Sequence, residues 1–177
     1  FAIFLAGIIS YKLIFIGLFY TVIQLGYCLY FKKKPILDIF CISTGFLLRA
    51  ISSAFASSLY ISPWFLLSLG LLALFLAIEK RKSELKVCAE KGIITRKVLL
   101  SYSLPLLDRY ENIASTGSFV SYSLWAAGPA LNGASTQWML LTVPLVLMGI
   151  FRYQLISNNE AKSVSKKLIS TENPEEI

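Results

Sequence analysis

The chain has 177 residues, is 56% hydrophobic, and sets 17 Lys and Arg against 10 Asp and Glu for a net charge of +7, with no histidine. A mean hydropathy of +0.67 is too apolar for a soluble domain of this size, and the missing histidine removes the commonest general base and zinc ligand. Nucleic-acid binding is excluded by where the charge lies, because nearly all basic residues fall in three separate stretches: Lys32–Lys34, Lys80–Arg109 and the tail from Arg152.

Those stretches alternate with apolar runs of membrane-spanning length, and the other connections, Ala56–Ser62 and Gly128–Gln137, carry no charge. Short loops that alternate in this way mark a polytopic membrane protein, with the basic loops expected in the cytoplasm. The runs are too long for barrel strands and show no strict alternation, so the expected fold is all-α, a polytopic transmembrane helix bundle forming one domain over residues 1–177.

In chain order, Phe1–Ile9 reads as the stub of a span. The chain opens inside this apolar run and its first methionine is Met139, which together read as an internal piece of a longer protein. Full spans are expected over Tyr11–Phe31, over Ile36–Ala56 with Pro35 in its first turn, and over Ser62–Ile78 with Pro63 near its start. Glu79–Asp108 breaks the short-loop pattern. It alternates charge with small apolar patches and reads as a cytoplasmic loop carrying two short amphipathic helices broken near Gly92. Asn112–Ala127 and Trp138–Phe151 complete the set, with Pro144 expected to kink the last span. Trp64, Trp125 and Trp138 all fall near outer ends, where interfacial tryptophan belongs. Cys28, Cys41 and Cys88 share no metal-like spacing and read as small buried hydrophobes.

Two ionisable residues lie in the span over 36–56, where each costs about 2.5–3.5 kcal/mol on insertion scales. Asp38 is near the cytoplasmic end and Arg49 is beyond the middle. Their spacing projects both from one face. That face suits an anion-accepting cavity, although Asp38 also fits an interfacial helix start and Arg49 a buried structural pair. A second constellation, Glu79-Lys80-Arg81-Lys82-Ser83-Glu84-Leu85, follows the span over 62–78. One carboxylate beside several cations can hold Mg²⁺ with the phosphates it neutralises. On spacing alone, plain cytoplasmic charge with incidental salt bridges fits better.

Six segments in order carry a resemblance: Tyr27-Cys-Leu-Tyr-Phe-Lys32, Pro35-Ile-Leu-Asp38, Gly45-Phe-Leu-Leu-Arg49-Ala-Ile, Trp64-Phe-Leu-Leu, Lys80-Arg81-Lys-Ser-Glu84-Leu85 and Tyr102-Ser-Leu-Pro-Leu-Leu-Asp108. Together they resemble the UbiA superfamily of intramembrane prenyltransferases, within it most nearly the branch that moves phosphoribose onto decaprenyl phosphate. The resemblance implies a bundle of nine transmembrane helices around a central cavity, closed on the cytoplasmic side. It implies an enzyme of the bacterial plasma membrane, dependent on Mg²⁺, that transfers phosphoribose from 5-phosphoribosyl-1-pyrophosphate to a polyprenyl phosphate. On that basis Arg49, Lys80 and Arg81 are catalytic candidates, Glu84 the metal ligand, and Tyr27, Lys32, Asp38 and Tyr102 substrate-binding.

The family's first acidic motif would lie upstream of Phe1 and its final helix beyond Ile177, and Glu79 stands where relatives commonly have glycine. An aromatic prenyltransferase would share the fold and metal chemistry, but the Lys-Arg-x-x-Glu-Leu run favours the phosphoribosyl branch. A transporter fragment, with Asp38 and Arg49 lining a path, is the competing class. The chain shows no internal repeat, and transport leaves the long charged segment unexplained.

Overall fold

A computed structural model describes residues 11–91, 97–128, 134 and 136–172. Among the described residues five helices carry the fold: α1 (Tyr11–Leu29), α2 (Leu37–Ser57), α3 (Pro63–Lys91), α4 (Leu104–Ala127) and α5 (Val143–Glu172). Short 3₁₀ turns at Phe31–Lys33, Lys97–Ser101 and Gln137–Thr142 link them. Among the described residues there is no strand. The stretches Leu37–Ser57, Pro63–Cys88 and Trp138–Asn158 are long and apolar enough to cross a membrane, and Leu13–Leu29 is a shorter apolar helix. A helix satisfies its own backbone polar groups, which an apolar solvent requires.

Proline sets several helix starts, because its missing N–H has no partner in a first turn anyway. Pro63 is the first residue of α3, and Pro105 enters α4 just after the Ser103 cap. Pro144 is the second residue of α5, so it starts that helix instead of kinking it. The segment 79–108 also differs from expectation. Its first part simply continues α3, a helix of 29 residues and therefore about 43 Å. That exceeds a bilayer core of about 30 Å, so several turns stand clear of the hydrocarbon. Its last part is the 3₁₀ turn at 97–101 and the first turn of α4, which begins eight residues before the expected span at Asn112. Gly92 and the stub over 1–9 lie outside the described residues.

Consecutive helices pack side by side, α1 on α2, α2 on α3 and α3 on α4, while α5 lies against both α3 and α4. In a membrane, lipid is as apolar as leucine, so helices associate through close backbone approach and interhelical hydrogen bonds. Both devices are present. Ser43 Oγ donates to the Gly70 carbonyl at 2.7 Å, and a Cβ on Gly70 would come within 3.1 Å of Leu47. Across α3 and α4, Ser68 Oγ donates to the Ser118 carbonyl at 3.2 Å and Ser118 Oγ returns a bond to the Ser68 carbonyl at 3.1 Å. Gly117, beside Ser118, leaves only 3.0 Å between a would-be Cβ and Leu71. Phe75 and Leu107 fill the centre, fully buried.

The two ends of the bundle differ. One gathers every described charged network. The other carries the uncharged turns and an aromatic group in which the Trp125 ring lies 5.0 Å from Phe65 and 5.4 Å from Tyr122. None of the three cysteines forms a disulfide; Cys41 and Cys88 are half-buried, but Cys28 is exposed on α1, contrary to its expected burial.

Ser118→Ile should wedge α3 from α4 and cost about 1–3 kcal/mol, as overpacking typically does. Ser118→Ala should cost well under that, near the 0.6 kcal/mol or so typical of interhelical hydrogen bonds. Unfolding in mixed detergent micelles, followed by tryptophan fluorescence, separates the two.

Candidate functional site at the basic end of the bundle

The start of α2 is unusual. Ile36 has φ 70° and ψ −50°, and the Leu37 N–H closes a three-residue turn onto the Pro35 carbonyl at 2.8 Å. A β-branched residue in this region is strained by roughly 1–3 kcal/mol. Tyr102, in the link before α4, holds it. The Ile36 N–H donates to the Tyr102 hydroxyl at 2.6 Å, and that hydroxyl donates to Asp38 Oδ1 at 2.8 Å. Burial, with the Asp38 carboxylate that it serves, pushes the Tyr102 phenol well above its usual range and keeps it a neutral donor.

Asp38 is fully buried, and its other oxygen receives Arg81 Nε at 2.8 Å. Arg81 Nη1 donates to Glu84 Oε2 at 2.6 Å. One guanidinium, itself 1% exposed, thus joins the start of α2 to the end of α3 and orients Glu84. Tyr27 of α1 is half-buried. Of the residues singled out from sequence, Asp38, Arg81, Glu84 and Tyr102 are therefore brought together.

Lys80 projects differently. It is exposed, has no partner among the described residues, and lines a cavity of about 580 Å³ between α3 and α5 together with Glu79, Ser83, Glu84, Tyr153 and Ser157. Lys32 is exposed on the 3₁₀ turn after α1. An apolar cleft of about 250 Å³ opens beside Asp38, walled by Ile36, Ile39, Phe40, Ile78 and Tyr110.

Arg49 is not brought to this cluster. Eleven residues along α2 from Asp38 is about 16 Å. Its Nη2 donates to the Tyr20 hydroxyl at 2.7 Å, and its guanidinium lies over the Tyr20 and Phe46 rings at 5.5 and 5.6 Å. It lines a separate cavity of about 400 Å³ with Gly17, Ser52 and Ser53. Asp38 and Arg49, though on one face of α2, therefore meet different neighbours among the described residues.

No protein-family model matches the chain. It is 34% identical to the decaprenyl-phosphate phosphoribosyltransferase of Mycolicibacterium smegmatis over 141 residues, 76% of this chain and 44% of that one. It is 36% identical to the enzyme of that name from Corynebacterium glutamicum over 137 residues, 76% and 41% of the two chains. For the Mycobacterium tuberculosis protein the figures are 30% over 148 residues, 84% and 48%. By sequence, the chain belongs with the UbiA-like decaprenyl-phosphate phosphoribosyltransferases. It spans under half the length of these curated relatives.

Among the described residues no group of three or more Asp, Glu, Cys or His could hold a metal ion unaided. Glu84, 25% exposed and lining the Lys80 cavity, fits Mg²⁺ as a single carboxylate completed by phosphate oxygens and water. The residues that spacing did not single out for a role form a second network beside the first: Lys82, Asp108, Glu111, Gln154 and Ser157. Only Glu79 and Lys82, three apart on one helix, carried a local signal.

Removing Arg81 alone leaves Asp38 buried without its cation, so Arg81→Met should destabilise the full-length protein by about 3–5 kcal/mol. Adding Asp38→Asn should recover much of that loss. Detergent unfolding of the single and double variants measures the coupling.

Proposed function

We propose that the full protein of which this chain is part is a magnesium-dependent transferase. It moves phosphoribose from 5-phosphoribosyl-1-pyrophosphate to a polyprenyl phosphate, decaprenyl in length, at the cytoplasmic face of a bacterial plasma membrane. The observation that carries this reading is one cavity that presents a lysine without a partner among the described residues, Lys80, beside a carboxylate, Glu84, whose rotamer is held by a buried arginine. The names of the relatives support the same chemistry.

In this reaction a lipid phosphate oxygen attacks the anomeric carbon of the sugar. A new C–O–P linkage forms as the anomeric carbon–diphosphate bond breaks, and diphosphate leaves with the electron pair. The phosphate is already an anionic nucleophile, so no histidine base is required. Charge develops on the leaving group, and Lys80, which has no partner among the described residues, is a cation placed to meet it. Bound Mg²⁺ would neutralise the diphosphate and polarise the departing bond. Arg81, spent on Asp38 and Glu84, keeps that carboxylate aimed instead of clamping phosphate directly. Tyr102 and Asp38 hold Arg81 in turn. Tyr27 and Lys32 lie at the same end, where they serve the donor. The apolar cleft beside Asp38 suits the isoprenoid next to the phosphate.

The test uses the full-length parent in detergent with Mg²⁺, phosphoribosyl pyrophosphate and a polyprenyl phosphate. Lipid-linked phosphoribose should form, and Lys80→Ala and Glu84→Ala should each lower turnover by about 10²–10³-fold. Turnover on a prenyl diphosphate and an aromatic acid instead would retain the superfamily and reject the phosphoribosyl donor.

A further inference from the structure

The network around Lys82 takes no part in that chemistry, yet it encloses two deeply buried carboxylates. Glu79 is 3% exposed and Glu111 5%. Lys82 Nζ lies 2.6 Å from Glu111 Oε2, 2.7 Å from Asp108 Oδ1 and 3.6 Å from Glu79 Oε1. Gln154 Nε2 donates to Glu111 Oε1 at 2.6 Å, and Ser157 Oγ donates to Glu79 Oε2 at 2.5 Å. Three helices meet here: Glu79 and Lys82 come from α3, Asp108 and Glu111 from α4, Gln154 and Ser157 from α5.

Glu79 and Glu111 both face the same Lys82 ammonium, so the two buried carboxylates are neighbours. Two like charges side by side in a buried site repel, which favours one carboxyl keeping its proton. The partners decide which. Glu111 receives an ammonium on one oxygen and an amide on the other, both at hydrogen-bond distance, and these favour its ionised form. Burial works against that charge, but the hydrogen bonds from Glu79, Lys82 and Gln154 outweigh it and hold Glu111 below the usual carboxylate range. Glu79 has only a neutral hydroxyl, while Lys82 stands too far away to donate to it. Asp108, half exposed, takes the remaining charge of Lys82. The other charged groups near Glu79 are Lys80 and Glu84, with which it lines the α3–α5 cavity.

We infer that Glu79 keeps a proton at neutral pH, shares it with Glu111, and through Ser157 seats α5 against α3, making it a positioning residue for the cavity that holds Lys80 and Glu84. Losing the proton would set two buried negative charges, one on α3 and one on α4, side by side against one lysine and loosen the seam where α3, α4 and α5 meet. The seating follows from the buried contacts alone; its effect on turnover rests on the function proposed above.

The closing experiment reads the proton directly, by infrared spectroscopy of the full-length protein in H₂O and D₂O. A protonated-carboxyl C=O band that shifts on deuteration should be present at neutral pH, vanish in Glu79→Gln, persist in Asp108→Asn and change frequency in Ser157→Ala. A band that neither Glu79→Gln nor Ser157→Ala alters overturns the inference, whatever the transferase assay gives. Turnover is then followed against pH. Wild type should lose activity and raise its donor KM as pH rises through the titration of the band. Glu79→Gln, a neutral isostere, should hold both flat, and Glu79→Ala should lose about ten- to a hundredfold at every pH. Glu79→Gln matching Glu79→Ala throughout would also overturn the inference. The predicted band changes in a protein with no transferase activity would uphold the shared proton and reject the function instead.

Discussion

Two adjacent cations on α3, Arg81 and Lys82, are both buried, and the arrangement of this end of the bundle follows from that. A buried charge is tolerated only when paired and hydrogen-bonded. Adjacent residues on a helix point about 100° apart, so the two demands go in different directions. Arg81 draws Asp38 from the start of α2, and Lys82 draws Asp108 and Glu111 from the start of α4. Neighbouring helices are thereby brought to α3 at defined heights. Gln154 then fastens α5 to Glu111, and Ser157 fastens it to Glu79 on α3 itself.

Deeper along the helices, packing takes over from charge. Ser43 against Gly70, and Ser68 against Ser118, set the spacing of α2, α3 and α4 through side chains too small to keep the backbones apart. This division suits a membrane. Polar networks sit where water and headgroups can serve their edges, and close small-residue contacts sit where only lipid competes. The outward faces are correspondingly apolar, with Phe15, Leu29, Met148 and Phe151 all exposed.

The same economy separates structural cations from a working one. Arg81 and Lys82 are committed to carboxylates, whereas Lys80, one residue earlier, is left facing a cavity beside Glu84. A rigid, fully satisfied scaffold under one free charge is how a site keeps its geometry while a charged substrate comes and goes. The strained turn at Ile36 belongs to that scaffold, since Tyr102 spends one hydroxyl on both the strained N–H and Asp38.

Class, helix order and the end that carries charge were legible from residue order alone, because hydropathy and charge alternation are one-dimensional properties. The Trp64, Trp125 and Trp138 ends and the run Lys80–Leu85 belong with them. Helix ends were less legible. Nothing local distinguishes a charged loop from a helix that continues past the membrane, as α3 does to Lys91. The pairings were not legible at all. Arg81 meets Asp38 across 43 residues, Gln154 meets Glu111 across another 43, and Ser157 meets Glu79 across 78. Spacing placed Arg49 on the face of Asp38, but which neighbour each meets depends on the helix packed at that height: Tyr20 on α1 for one, Arg81 on α3 for the other. The sequence by itself determined a helical membrane protein with one charged end, because those features are summed along the chain. Only the tertiary structure decided which charges are buried, paired or left free, because that depends on which helices meet in space.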